Sequence, residues 1–161
     1  MEEQCLLETF DEINEFLTNL KPINFARMPR PIDVYMKYKA HELYNWLLFY
    51  SLPVLKGILP QQYFEHWMAL VISIFLLCQD HITEDDITTA ETLLSFFVKE
   101  FGTLYNDEGY TYNFHQLLHL GLCVRRYGPL WEWSTFCFES MNGTIAQISH
   151  ATKHIGQRNY Q

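Results

Sequence analysis

Two histidines stand four residues apart in the string NFHQLLHL, at His115 and His119. In an α-helix, side chains at this spacing project from one face, where two imidazole nitrogens suit one Zn²⁺. The competing interpretation is structural, because paired histidines on a helix also pack against their neighbours or cap them. The pair taken alone is therefore a weak indication of a metal site.

The residues around the pair restrict the chemistry it could perform. The zinc-protease pattern H-E-x-x-H needs a carboxylate after the first histidine to take a proton from metal-bound water, and Gln116 stands there. Cys123 continues the series to i+8, but it lies about 12 Å along a helix from His115, too far to share one tetrahedral zinc. Two further ligands must come from elsewhere, and the four cysteines form no CxxC pair.

One acid follows the pair in an aromatic setting. Glu139 lies 20 residues after His119, within the string FCFES. A carboxylate in apolar surroundings must be paired or bind a metal ion, because burying a free charge is costly. The alternative is that Glu139 faces water, as most helical glutamates do.

The strings NFHQLLHL and RRYGPLWEWSTFCFESMNG resemble the C-terminal catalytic region of CACTA (En/Spm)-like DNA transposases. The string YKAHELYNWLLFYSLPVLKGILPQQYFEHWMALVISIFLL is similar to the helical region that precedes it in the same family, so the resemblance covers about Arg27 to Gly143. It implies a nuclear protein whose complete form cleaves and transfers DNA strands with two Mg²⁺ or Mn²⁺ ions on an RNase H-like core.

The resemblance also assigns roles to residues. His115 and His119 match a histidine pair that shares a structural Zn²⁺ with an upstream CxxC, and Glu139 matches the final catalytic acid, a ligand of the divalent ions. The CxxC, the first two acids and the sheet that carries them have no counterpart in this sequence. We therefore expect the chain to be inactive alone, with DNA as a partner only in the context of the full transposase.

A second hypothesis belongs to a different class of protein. The chain would be a non-catalytic helical interaction module derived from a transposon. Its surplus aromatic side chains would then contact a helical protein partner or another copy of the chain. The candidates for that contact are Trp131, Trp133 and Phe136. An unrelated zinc hydrolase is a third possibility, and it would require stoichiometric zinc in the isolated chain.

Composition limits the partners. The net charge of −8 opposes broad binding to phosphates, although five bases between positions 21 and 39 leave a local phosphate contact open as the minority interpretation. Acids rather than a basic, apolar leader follow Met1, and no clean apolar run reaches the roughly 20 residues of a membrane span. We expect an intracellular protein with reduced thiols and no membrane contact.

Apolar periodicity predicts an all-α fold of about six helices that would position these residues. One domain is expected over residues 1–149, with a polar, frayed tail over 150–161. By the resemblance, it is the helical insertion and final catalytic helix of a truncated RNase H-like transposase. We expect Thr83 and Asn113 to cap helices, Pro53 to kink or end one, and residues 22–33 to be extended. The predicted helices span about 3–20, 34–51, 61–79, 84–105, 114–127 and 130–148.

Overall fold

The computed structural model describes residues 11–15, 17, 30–105 and 111–133. Every regular element within these residues is helical, which confirms the prediction of an all-α fold. The chain divides into two compact units, Met1–Pro129 and Leu130–Gln161. The predicted boundary between domain and tail at residue 150 lies outside the described residues and stays a prediction.

The N-terminal helix α1 comprises the helical residues 11–15 and 17. Its apolar side chains recur four residues apart, so they share one face, and that face is buried. The Oδ1 atom of Asn14 accepts the Ile32 N–H at 2.8 Å, which joins α1 to the following 3₁₀ helix, Ile32–Lys37. The predicted helix over 3–20 is therefore present where the chain is described. The cluster around α1 comprises Ile13, Leu17, Ile32, Tyr50 and Val54.

The second helix begins later than the sequence predicts. The residues Tyr38 and Lys39 are extended, and helix α2 covers Ala40–Asn45, so the predicted start at residue 34 is wrong. Polar contacts stabilise this extended stretch between the two helices. The Arg30 guanidinium donates to both carboxylate oxygens of Glu42, at 2.7 and 2.6 Å, and Glu42 also accepts the Lys39 N–H at 2.7 Å. These contacts tie Arg30, which precedes the 3₁₀ helix, and the extended Lys39 to the first turn of α2.

The predicted disturbance at Pro53 takes the form of a π turn. Helix α2 runs into a π-helical turn, Trp46–Tyr50, and then into helix α3, Ser51–Leu55, which contains Pro53. Proline has no N–H to donate to the preceding turn, and a π turn widens the backbone just before that point. The helical path continues past Pro53 and ends at Leu55, shortly before Gly57 with φ of 91°.

Two long helices form the centre of the first unit. Helix α4, Gln61–Leu77, follows Pro60, and helix α5, Glu84–Tyr105, follows Thr83. The Thr83 hydroxyl accepts the Asp86 N–H at 3.2 Å, while the Asp86 carboxylate accepts the Thr83 N–H at 2.9 Å. Because this reciprocal contact satisfies free donors of the first turn, Thr83 is the helix cap that the sequence predicts.

The space between α4 and α5 holds apolar side chains and one histidine. Leu77, Ala90 and Leu94 are at most 1% exposed. The His66 side chain is fully buried, its ring stacks on Phe97 with centroids 4.3 Å apart, and Nε2 lies 2.8 Å from the Phe97 carbonyl oxygen. A carbonyl only accepts, so Nε2 carries the hydrogen and donates it. This bond ties the two long helices together.

The histidine-bearing segment closes the first unit. It consists of helix α6, Tyr112–His115, a 3₁₀ helix, Gln116–His119, and helix α7, Leu120–Tyr127. Gly128 ends α7 with φ of 86°, a left-handed conformation that glycine adopts without strain. In the second unit a 3₁₀ helix covers Leu130–Trp133, and the rest of the predicted helix over 130–148 lies outside the described residues.

Candidate metal centre

The start of the histidine-bearing segment differs from the sequence prediction. The residue before α6 is Thr111, which is extended and whose hydroxyl accepts the Phe114 N–H at 3.3 Å. Asn113 lies inside the first turn, so its predicted role as the cap is wrong. The Thr111 hydroxyl already accepts the free Phe114 N–H of the first turn. The helix therefore begins at Tyr112, two residues before the start that a cap at Asn113 predicts.

The two candidate ligands are separated by a tighter helix than expected. The prediction of one helix over 114–127 is wrong in detail, because the 3₁₀ segment Gln116–His119 interrupts it. A 3₁₀ helix has three residues per turn, so four steps along it rotate a side chain about 80° further than four steps along an α-helix. The shared face inferred from α-helical spacing therefore does not by itself explain where the two imidazoles lie.

The imidazoles of His115 and His119 nevertheless lie side by side. Their ring centroids are 5.2 Å apart, the ring planes are inclined by 78°, and both residues are exposed. Two imidazoles that each bind one tetrahedral Zn²⁺ through a nitrogen at about 2 Å have centroids about 5 Å apart. The spacing therefore fits two ligands of one zinc ion, and it equally fits an edge-to-face contact between two rings.

A complete metal site is not assembled within the described residues. Among them, no group of three or more histidine, cysteine, aspartate or glutamate side chains could hold a metal ion. Cys123 is half-buried and belongs to no such group. A structural zinc takes four protein ligands, so the histidines would supply half of the set.

The other predicted site residue, Glu139, lies outside the described residues, as do Phe136 and the remainder of FCFES. Its predicted role as a ligand of Mg²⁺ or Mn²⁺ therefore stays a prediction. Of the aromatic residues proposed for a protein contact, Trp131 is 43% exposed. That exposure leaves the side chain accessible, as the interaction hypothesis requires.

The elements around the histidines are fixed by contacts that sequence reasoning missed. The Arg125 side chain on α7 donates to Glu84 at 2.7 Å and to both carboxylate oxygens of Glu91 at 2.5 and 2.9 Å. These ion pairs lower the pKa of Glu84 and raise the pKa of Arg125, with the Arg125 hydrogen bond the largest cause for Glu84. The only sequence signal was the pair of arginines in RRYGP.

A cavity of about 690 Å³ lies between the start of α5 and the end of α7. Its polar lining includes Asp80, His81, Glu84 and Arg125, and its apolar lining includes Ile87. Because Arg125 is paired with two carboxylates, this cavity has no strong excess of positive charge to attract a phosphate.

Of the basic residues between positions 21 and 39, Arg30 is already paired with a carboxylate. Arg30 forms its bidentate pair with Glu42, and its guanidinium lies 5.4 Å from the centre of the Tyr38 ring. The pairing holds the pKa of Glu42 at about 2, chiefly through the Arg30 hydrogen bond. This neutralisation works against the local phosphate contact that the sequence left open.

Searches of protein-family models, of curated proteins and of solved structures each found no match to this chain. Within the described residues, none of the helices combines the length and the apolar character needed to cross a bilayer.

Proposed function

We propose that the chain is part of a transposase-like protein that cleaves and transfers DNA strands, and that it contributes half of a structural zinc site. In this proposal His115 and His119 bind Zn²⁺ together with ligands that this chain lacks. Glu139 is the catalytic acid of the complete protein, and the isolated chain is inactive. The observation that supports the proposal is the pair of exposed imidazoles with centroids 5.2 Å apart.

Exposure distinguishes these two histidines from the structural histidine of the same chain. His66 is fully buried and hydrogen-bonded to a helix carbonyl, as expected of a histidine that serves packing. His115 and His119 are exposed and lie beside each other at the end of a short helix. Solvent access is what a ligand pair needs if a second segment or partner is to complete its coordination shell.

In the complete protein, divalent ions would supply the Lewis acidity for phosphoryl transfer at DNA. The part of this chain is to hold the imidazoles and to present the segment that carries Glu139. One carboxylate is too few for two hard cations, which take several oxygen ligands each, so the remaining acids belong to another segment or chain.

Zinc titration of the chain tests the metal half of the proposal. Because the chain supplies only two of the four ligands, isothermal titration calorimetry should show weak Zn²⁺ binding, and His115→Gln or His119→Gln should weaken it about tenfold or more. His41→Gln is the matched control, because His41 is an exposed histidine on α2. Absence of binding in the unmodified chain, or equal loss in the control, would contradict the proposal.

The catalytic half is tested with DNA. Incubation of the chain with supercoiled plasmid and Mg²⁺ or Mn²⁺ should give no nicking. Nicking that disappears in Glu139→Gln would show that the chain is active alone and would overturn that part of the proposal.

A helical interaction module remains the second candidate, and one observation favours it. A groove of about 430 Å³ between the π turn and the end of α4 is lined by Tyr44, Leu48 and two exposed rings, Phe49 and Phe75. These rings are 44% and 52% exposed, and a cluster of exposed apolar side chains is typical of protein contacts. Sedimentation velocity over a range of concentrations should then show self-association that Phe75→Glu abolishes and Phe96→Glu, at a similar exposure on α5, does not.

A further inference from the structure

One arginine, Arg125, makes polar contacts between the end of α7 and two residues of α5. Arg125 makes a two-pronged contact with Glu91 and a further hydrogen bond with Glu84. These glutamates are seven residues apart on α5, about two helical turns, so they lie on one face. A planar guanidinium held at three points by two turns of one helix fixes the direction of α7 as well as its distance.

A glycine allows α7 to lie close to that arginine contact. Gly121 is buried, one turn before Arg125, and the Glu91 side chain passes directly over its Cα. A Cβ atom built at Gly121 would collide with the Cγ, Cδ and Oε1 atoms of Glu91. The same glutamate therefore binds Arg125 and occupies the space that a side chain at position 121 would need.

These contacts lie next to one of the two histidines. His119 is the residue immediately before α7, two positions ahead of Gly121. A shift of α7 along or away from α5 would therefore carry His119 with it.

The other histidine is held to the same helix by different contacts. The ring of Phe114, adjacent to His115, lies 5.5 Å from the Phe97 ring and 4.3 Å from the Phe101 ring, both on α5. Helix α5 therefore positions both imidazoles, one through aromatic packing and the other through Arg125. The 3₁₀ segment that joins them has poorer hydrogen-bond geometry than an α-helix and constrains their separation less.

We infer that Arg125 is a positioning residue, which holds His119 beside His115 by pairing with Glu84 and Glu91. For zinc binding the inference rests on the function proposed above, while the placement of the two rings can be measured without metal. Arg125 itself touches neither imidazole in the contacts described and acts through α7.

The experiment compares Arg125→Gln with Arg30→Gln, which removes an equivalent two-pronged pair with Glu42 elsewhere in the chain. The first readout is the nuclear Overhauser effect between the ring protons of His115 and His119 in the metal-free protein. The second is zinc affinity by calorimetry. We expect Arg125→Gln to lose the ring contact and about tenfold in affinity, and Arg30→Gln to retain both.

Thermal unfolding of the same variants separates positioning from stability. Both remove ion pairs that are at least partly exposed, so we expect similar, small decreases in melting temperature. A loss of the ring contact in Arg125→Gln alone is then a positional effect. If Arg125→Gln does not fold, Glu91→Gln, which removes the charge and keeps the size of the side chain, takes its place with the same expectations.

The outcomes distinguish this inference from the proposed function. Zinc binding that is unchanged in Arg125→Gln, with the ring contact intact, would overturn the inference and leave the function standing. No zinc binding by the unmodified chain would overturn the function, and the ring contact in the two variants would then decide the inference alone.

Discussion

The helix pair α4–α5 and the histidine-bearing segment α6–α7 are held by different forces. Between α4 and α5, side chains such as Leu77 and Leu94 are almost completely buried. Helix α7 is held to α5 by Arg125, whose side chain is 31% exposed. Burial of apolar area supplies most folding energy, whereas an exposed ion pair supplies little. The contacts that stabilise the fold and those that arrange the candidate site therefore overlap only in part, at Phe97, which packs on both His66 and Phe114.

The largest effect on stability is expected from a substitution in the core between α4 and α5. Leu94→Ala removes a side chain that is 1% exposed and should cost about 2–5 kcal/mol in the free energy of unfolding, through lost burial and the remaining cavity. Urea denaturation followed by circular dichroism measures it. Leu122→Ala, at a residue 43% exposed, is the control and should change stability by about 0.5 kcal/mol or less. Equal losses would show that α7 contributes to the core as much as α5 does.

A methyl group at Gly121 should disrupt the contact between α7 and α5. Gly121→Ala forces the Glu91 side chain away from Arg125, and overpacking of this kind costs about 1–3 kcal/mol. Hydrogen exchange should increase in α7 and remain slow in α4. In a Glu91→Ala background the collision is absent, so the same substitution should be neutral or slightly stabilising, because alanine favours helix. A full cost in that background would contradict the close approach.

The caps provide an intermediate comparison of the two regions. Thr83→Ala removes the contact with Asp86 at the start of a 22-residue helix and should cost about 1 kcal/mol of global stability. Thr111→Ala acts on the four-residue α6, so it should increase hydrogen exchange there and leave the global transition nearly unchanged. Chemical denaturation and hydrogen exchange on both variants test this, and the reverse ranking would contradict it.

The smallest effect concerns acid and the contact between Arg30 and Glu42. The pKa of Glu42 is lowered to about 2, mainly by the Arg30 hydrogen bond, so its contribution to stability is complete above pH 4.5. It is lost as the pH falls through about 2, where the folded protein protonates this carboxyl group. Nuclear magnetic resonance titration of the glutamate carboxyl carbons should show this late transition, and Arg30→Gln should move it upward. A midpoint near 4.5 in the unmodified chain would mean that the pair does not form.

Local signals predicted the long helices well. Apolar periodicity gave α4 and α5 to within about two residues at their ends, and Thr83 followed from its side-chain chemistry. The errors occurred where more than one residue nearby could begin a helix equally well. Thr111 and Asn113 are both good caps, and the sequence does not state which one the backbone uses. The break at Tyr38 depends on the pairing of Arg30 with Glu42, which periodicity does not register.

The candidate site was less predictable, because its geometry depends on distant partners. The histidines were identified from their spacing, but the 3₁₀ segment between them was not. Arg125 pairs with residues 34 and 41 positions earlier in the chain, a relation that no short motif encodes. Glu139 and its role stay predictions, since that residue lies outside the described part of the chain.

The hydrogen bond from His66 to Phe97 also restricts how the two long helices can pair. If α4 slid along α5 by about half a turn, the imidazole N–H would leave hydrogen-bonding distance of the Phe97 carbonyl oxygen. Leucine and alanine contacts tolerate such slippage far better, because they are not directional. One buried polar atom thus adds a directional contact to an interface that is otherwise held by apolar packing.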